Sequence, residues 1–583
     1  VRRRTVVFVL ALAVLHIAGD VEWNSLDDNV QTTDASYHYS QILERAAAVQ
    51  EGPTALSEQL AADERQRYGQ LWYAVGTGLA LIVGPSNIAH LLNLQSMLLW
   101  PALLFAVFLL GAELAPEGRK EGAGVLAALV AHGLPGLFNY GRVLVLDLPL
   151  TVAVAWGAWL LLRLLRLEPG TRSYRRTAWG AAAVAVVALG IKINAVAFLA
   201  GPAWVAARPH LRAMWGEDRR RLIGALGVGA AVAIGGLAFL LLGSRGDALI
   251  ETFRDATWPG KALDYADAGA LGAWPGDWAA GAWSHSWEVA YFTVLQTFTP
   301  LLLLVTVIAS GWFFGRRRGC EEPRARAQRD AVFWWWAIPV ISLLLLLRGL
   351  YDERYALPLL PLAAALIGVA LVELPGPPAV RRAVSGAVVA LALITHSVVS
   401  FGGLEAAQSR ACATVPGWAD NPRVGRSLWL CAVYPEYQFM DRPSTPREKR
   451  WPLDALEAAL MPTRDAVGEP LGAVFLDDLY DVFYGSFQND LFGRALFRHQ
   501  DMLLLTHCAD EGWMTANHGG ADALATHIRE HADVVLSRWG AAVQGDPVQG
   551  LRCRIPWDDG SFELGGSIPV EDGTEIRWWR RVR

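Results

Sequence analysis

Three stretches set ionisable side chains beside apolar runs. The first holds Glu22, Asp27, Asp28 and Asp34, with Tyr37, His38 and Tyr39 close behind. The second runs from Tyr140 through Arg142 to Asp147 and Pro149, and the third holds Tyr351, Arg354 and Tyr355 ahead of Pro358 and Pro361. Lys192, between Ile191 and Ile193, is the only one of four lysines inside an apolar region. A carboxylate can take the proton of an attacking hydroxyl, or hold a divalent ion that neutralises a departing phosphate. Arginine grips phosphate as a fork and lysine as a point charge. These residue types together describe a pocket for a lipid whose head is a phosphate and whose tail lies in the bilayer.

Plainer readings stand beside each assignment. Asp34 lies among polar residues, where a solvated side chain is the default. Asp147 precedes an unbroken apolar run, where an ionisable group is functional by default. Lys192 snorkelling to an interface and Arg354 anchoring a helix end are the ordinary alternatives. Trp258, Trp274, Trp278, Trp283 and Trp287 fit an interfacial aromatic belt better than a sugar-stacking surface.

The composition requires elements that hold such groups in a membrane. Of 583 residues 53% are hydrophobic, and adding the 56 glycines raises the apolar share to roughly 62%, above the 45–50% of soluble domains. Charged residues make up 18%. The mean hydropathy of +0.27 averages two unlike parts: residues 1–401 carry long apolar runs and residues 402–583 do not. A net charge of −5 with no basic face or zinc-ligand spacing makes nucleic acid a poor partner.

Spans of about 20 apolar residues are expected near 5–20, 88–112, 122–139, 147–166, 177–190, 194–207, 222–243, 288–314, 331–349, 355–373 and 383–401, about eleven in all. The stretches 177–190 and 194–207 are short enough to be broken or to share one hairpin. Arginine clusters at 2–4, 163–176, 208–221 and 316–329, with Arg119, Lys120, Arg381 and Arg382, fall on one set of connections. That side is expected to be cytoplasmic. The amino terminus is then inside and residues 402–583 outside. Counting 69–85 as a span would reverse every later connection, so it is expected to lie in the outer interface, within a first outer loop of about 20–86. Arg2–Arg4 and the short apolar run after them also fit a signal peptide. Cys412, Cys431, Cys508 and Cys553 fall in the outer tail, where pairing is expected, and Cys320 falls inside.

In this order the motifs resemble the membrane glycosyltransferases that use polyprenyl-phosphate sugars, which include the protein O-mannosyltransferases and the lipid A aminoarabinose transferases and share the GT-C fold. The resemblance covers residues 1–401. It is carried by Asp34, Tyr37 and Tyr39; by Leu71-Trp72-Tyr73; by Gly84-Pro85 opening the second span; and by Pro135, Tyr140, Arg142, Asp147 and Pro149. Leu189 to Lys192 and Arg354 to Pro361 complete it. The resemblance implies Asp34 and Asp147 as catalytic acids, with a divalent ion left open at the pair, and Lys192, Arg354 and Arg142 as donor-phosphate contacts. Tyr37, His38, Tyr39, Tyr351 and Tyr355 are pocket candidates. The family has an Asp-Glu pair where this chain has Asp34-Ala35, which leaves open whether Asp34 works as base, as ligand, or with Asp27 or Asp28. The resemblance also implies that the first span is retained.

The expected fold is an all-α polytopic bundle over 1–401, followed by a C-terminal extracytoplasmic α/β domain over 402–583. Strands are expected at 471–476, 502–505 and 534–536, and helices at 453–460 and 521–530. The expected function is an inverting transfer of a sugar from polyprenyl phosphate to a lipid, glycan or protein acceptor, on the outer face of a bacterial cytoplasmic membrane. A transporter of lipid-linked sugars, or an inactive relative that binds them, is the alternative.

Overall fold

The computed structural model describes residues 2–26, 33–62, 70–83, 88–192, 194–217, 297–318, 322–345, 353–400, 453–467, 471–475, 502–507, 521–539, 560–569 and 575–582. Backbone groups in hydrocarbon have no water to bind, so the apolar runs satisfy them internally as helices. The chain begins with α1 (Arg3–Leu26), α2 (Thr33–Glu51), α3 (Pro53–Ala62), α4 (Gln70–Val83) and α5 (Ile88–Leu114). Next come α6 (Lys120–His132), α7 (Pro135–Gly141), α8 (Asp147–Leu164), α9 (Arg172–Ile191) and α10 (Ala195–Glu217). Further on lie α11 (Pro300–Arg317), α12 (Pro323–Leu345), a 3-10 helix (Glu353–Leu359), α13 (Leu360–Glu373) and α14 (Pro378–Ser400).

Among the described residues five helices are long and apolar enough to cross a membrane, or six if the bent pair α6–α7 is one span. The protein is a multi-pass membrane protein. The α6–α7 axis bends by 59° where Gly133 and Pro135 interrupt the run. A Cβ at Gly133 would lie 2.2 Å from the Ala392 carbonyl oxygen, so only glycine lets α14 approach the bend. The helix α4 has 14 residues, about 21 Å, which is short of the roughly 30 Å of hydrocarbon. The stretches expected to be broken or to share one hairpin belong to two helices of 20 and 23 residues. The expected span 222–243, the five tryptophans of 258–287 and all five cysteines lie outside the described residues.

The centre of the bundle is α5, α6 and α13. Small residues let these backbones meet: a Cβ on Gly368 would lie 2.4 Å from the Ala123 carbonyl oxygen. Close backbone approach over small side chains is how helices associate where lipid is as apolar as the core. Leu103, Leu110, Val130, Leu362 and Leu366 are fully buried around this contact.

One end of the bundle is rich in arginine, and its cations cap helix carboxyl ends, where carbonyls are unpaired and the dipole is negative. Arg119 donates to the Val372 carbonyl at 2.7 Å, and Arg317 to that of Leu114. Arg166 pairs with Glu113 at 2.8 Å, and Arg316 lies 3.6 Å from Glu373. Glu117, exposed in the turn before α6, takes a hydrogen bond from Lys120 that holds its carboxyl below the ordinary value.

The carboxy-terminal part contains α15 (Leu453–Val467), β1 (Leu471–Phe475), β2 (Met502–His507), α16 (Ala521–His531), β3 (Val534–Trp539), β4 (Phe562–Pro569) and β5 (Glu575–Arg581). The sheet order is β2-β1-β3-β5-β4. β1 is parallel to both neighbours, with Ala473 opposite Leu504 and Val474 opposite Val535. β3, β5 and β4 are antiparallel, with Leu536 opposite Trp578. The expected strands and helices are present as an α/β layer, and β4 and β5 add to it a hairpin edge that was not expected.

Candidate active site

The helix α8 starts at Asp147, with Pro149 two residues on. An acid in the first turn meets the positive end of the dipole, and proline there loses no hydrogen bond. Asp147 is buried, at 1% exposure. Its Oδ1 accepts a hydrogen bond from Lys192 Nζ at 2.8 Å. Lys192 caps the carboxyl end of α9 in an extended conformation, so its side chain leaves the helix and turns to α8. The same ammonium lies 4.4 Å from the ring centroid of Tyr355, in the 3-10 helix that enters α13. Three expected site residues from three separate elements therefore meet: Asp147, Lys192 and Tyr355. The connectivity puts them away from the arginine-rich end, because α8 runs from Asp147 to Arg163 and α9 from Arg172 to Ile191.

The segment from α2 to α4 packs beside this cluster. His38 Nδ1 lies 2.6 Å from the Tyr73 hydroxyl, joining α2 to α4, and Arg45 stands over the same ring at 4.6 Å. Leu71 of α4 packs on Gly190 of α9, two residues before Lys192. Tyr39, Ile42, Leu43, Tyr73, Leu91 and Leu92 form one buried cluster with Leu144, three residues before Asp147. Asp34 and Tyr37 lie in the first turns of α2 and Arg354 in the 3-10 helix, and their side chains are outside the described ones. Asp27, Asp28 and Tyr351 lie outside the described residues.

Arg142 belongs to a second constellation. It is 1% exposed, and its Nε donates to Asp20 Oδ1 at 2.9 Å. Asp20 Oδ2 accepts from Ser96 Oγ and Trp100 Nε1, each at 2.8 Å. A carboxylate buried in apolar surroundings is tenable when paired and multiply hydrogen-bonded. This pair ties α1, α5 and the end of α7 together just ahead of the loop to Asp147. Asp20 was not expected as a partner. The signal was present, since Asp20 follows His16 by one helical turn inside an apolar span, and an ionisable group there asks for a partner.

His16, one turn before Asp20, meets His132 and His396, all buried. Among the described residues these three are the group of ligating side chains close enough to share a metal ion. The expectation of a divalent ion had been attached to Asp34 and Asp147 instead.

The fold is a multi-pass helical bundle with a charged, partly buried cluster at one end. In structure the chain is similar to ArnT from Cupriavidus metallidurans bound to undecaprenyl phosphate, at 13% identity and a TM-score of 0.49, covering 99% of this chain and 98% of that one. It is also similar to the Archaeoglobus fulgidus oligosaccharyltransferase AglB in complex with an inhibitory peptide and a dolichol-phosphate, at 11% identity and a TM-score of 0.46, covering 98% and 74%. A structure of the Archaeoglobus fulgidus oligosaccharyltransferase with Zn and sulfate is similar at 12% identity and a TM-score of 0.46, covering 97% and 72%. No protein-family model matches the chain, and no curated protein matches it in sequence.

Proposed function

We propose that this protein is an inverting glycosyltransferase that moves a sugar from a polyprenyl phosphate to an acceptor hydroxyl, at the end of the bundle away from the arginine clusters. The observation that carries the reading is the Lys192–Asp147 pair beside Tyr355, a lysine side chain 12% exposed with its counter-ion at 2%. A lipid phosphate entering there competes with Asp147 for Lys192, and Arg354 joins it from the 3-10 helix. The exchange releases Asp147 to orient the acceptor or a divalent ion. Arg142, held by Asp20, fixes the loop from which Asp147 projects.

In the transfer the acceptor oxygen forms a bond to the anomeric carbon as the bond from that carbon to the phosphate oxygen breaks on the opposite face. The acceptor proton passes to the Asp34 carboxylate. The polyprenyl phosphate leaves with the bonding electron pair, and its new charge is met by Lys192 and Arg354. The cluster joining Tyr39 of α2 to Leu144 supports the meeting of Asp34 with Asp147, because it packs the helix that carries the first acid against the loop that carries the second.

The basic connections support a cytoplasmic face at the arginine-rich end, so the site would open to the outer face of a bacterial cytoplasmic membrane. The experiment is reconstitution of the full chain in liposomes with a radiolabelled polyprenyl-phosphate sugar. The proposal expects free polyprenyl phosphate to appear as labelled acceptor accumulates. Movement of intact donor across the bilayer without release of phosphate would instead mark a transporter.

A further inference from the structure

The histidines at positions 16, 132 and 396 come from α1, α6 and α14, elements far apart in the chain, and meet inside the bundle. His16 and His396 are 0% exposed and His132 is 1% exposed. His16 Nδ1 and His132 Nδ1 are 2.9 Å apart. The ring centroid of His396 is 4.5 Å from that of His16 and 3.9 Å from that of His132. One nitrogen from each ring can be chosen so that all three lie within 4.8 Å of one another.

We infer that these three imidazoles bind one divalent transition-metal ion of the zinc class, as a structural centre distinct from the Asp147–Lys192 cluster. Imidazole nitrogens bind zinc at about 2.0–2.1 Å in tetrahedral sites, which places neighbouring nitrogens about 3.4 Å apart. The Nδ1 pair, which shares a hydrogen bond at 2.9 Å, sits inside that spacing, and the set as a whole, within 4.8 Å, must close toward it as the ion binds. A softer or harder ion fits less well: no thiolate is present in the group, and a hard cation prefers carboxylate and carbonyl oxygen.

Two further observations point to a ligand. His16 Nε2 and His132 Nε2 are buried without a hydrogen-bond partner among the described residues, although an unsatisfied polar atom costs about 1–3 kcal/mol. His16 also has a carboxylate nearby, that of Asp20, at a distance longer than a hydrogen bond. Its Nε2 lies 3.9 Å from Asp20 Oδ1, one helical turn along α1, while its Nδ1 faces His132. Asp20 is fixed in turn by Ser96, Trp100 and Arg142. The carboxylate supplies negative charge beside the ion, which three neutral rings do not.

The placement also indicates what the ion does. His132 is the last residue of α6, directly before the 59° bend, and α7 beyond the bend leads through Arg142 to Asp147. An ion held there fastens the first helix and α14 to the bend that sets the position of the loop. It touches neither Asp147 nor Lys192.

The test uses the full chain purified in detergent, stripped with a chelator and titrated with Co²⁺ and then Zn²⁺. The expected result is about one Co²⁺ per chain with the visible absorption of a tetrahedral nitrogen site, displaced by Zn²⁺, whose X-ray absorption shows imidazole ligands. His396→Gln should weaken binding at least tenfold, whereas Asp147→Asn should leave it unchanged. A wild-type titration without a tetrahedral cobalt spectrum overturns the inference, and so does an unchanged stoichiometry in the His16→Gln/His132→Gln/His396→Gln triple variant. The cobalt titration of the wild-type chain decides the matter alone where a variant does not fold, and its outcome is independent of sugar transfer.

Discussion

Lys192 and Asp147 sit 45 positions apart in the chain, yet the ammonium of the first lies 2.8 Å from a carboxylate oxygen of the second. The pair joins the end of one helix to the start of another, under the ring of Tyr355. Asp147 is buried, and Lys192 is partly exposed. A buried pair of this kind adds little net stability over apolar packing, but removing one partner strands the other at a cost of about 3–5 kcal/mol.

Separate losses of stability and of transfer follow for the pair. Lys192→Met removes the cation 2.8 Å from the buried Asp147 carboxylate, so thermal stability in detergent should fall, and transfer should fall by roughly 10²-fold or more with the loss of a cation from the departing phosphate. Lys192→Met/Asp147→Asn should recover most of the stability and none of the activity. A double variant that regained transfer would remove Lys192 from the phosphate site. The comparison needs the full double-mutant cycle, since the two side chains are in contact and their effects do not add.

Asp34→Asn should leave insertion and folding intact and lower transfer by about 10²–10⁴-fold, the usual contribution of a general base. The readout is the rate of polyprenyl phosphate release at saturating donor. Wild-type release in this variant would move the proton-accepting role elsewhere in the first loop, with Asp27 and Asp28 the next acids to replace.

Asp20→Asn should destabilise the protein more than Asp34→Asn does. It replaces the carboxylate 2.9 Å from the buried Arg142 guanidinium by a neutral amide, and breaking a buried ion pair costs about 3–5 kcal/mol. Thermal unfolding of the two variants in the same detergent makes the comparison, and equal melting temperatures would contradict the role given to Asp20.

Gly368→Val tests the packing at the centre of the bundle. A side chain at that position meets the backbone of α6 at Ala123, so α13 must move away. Overpacking of this kind costs about 1–3 kcal/mol, to be read as a lower melting temperature with unchanged membrane insertion.

Much of this was legible in the sequence, and the remainder depended on partners that a local pattern does not name. Asp147 stood out because an acid heads an unbroken apolar run, and Lys192 because it is the one lysine in such a run. The 14 residues of α4 were read as non-spanning because a crossing there would have sent the arginines to the opposite face. The bend after His132 falls inside the stretch 122–139 that was expected as one span, although Gly133 and Pro135 mark it. Asp20, His16 and His396 were passed over, since each sits in an apolar span whose periodicity says nothing of the helices opposite. The hairpin of β4 and β5 was missed because Gly565 and Gly566 break the alternation that marks a strand.

The account places the donor's phosphate against Lys192 and Tyr355, and photo-crosslinking tests that placement most directly. A polyprenyl-phosphate sugar analogue with a photoreactive group next to the phosphate is activated in proteoliposomes, and the labelled peptides are mapped by mass spectrometry. The predicted label falls at the start of α8, the end of α9 and residues 353–359. Label confined to the groove of about 550 Å³ at the opposite end, lined by Arg119, Arg381 and Arg382, would contradict the account.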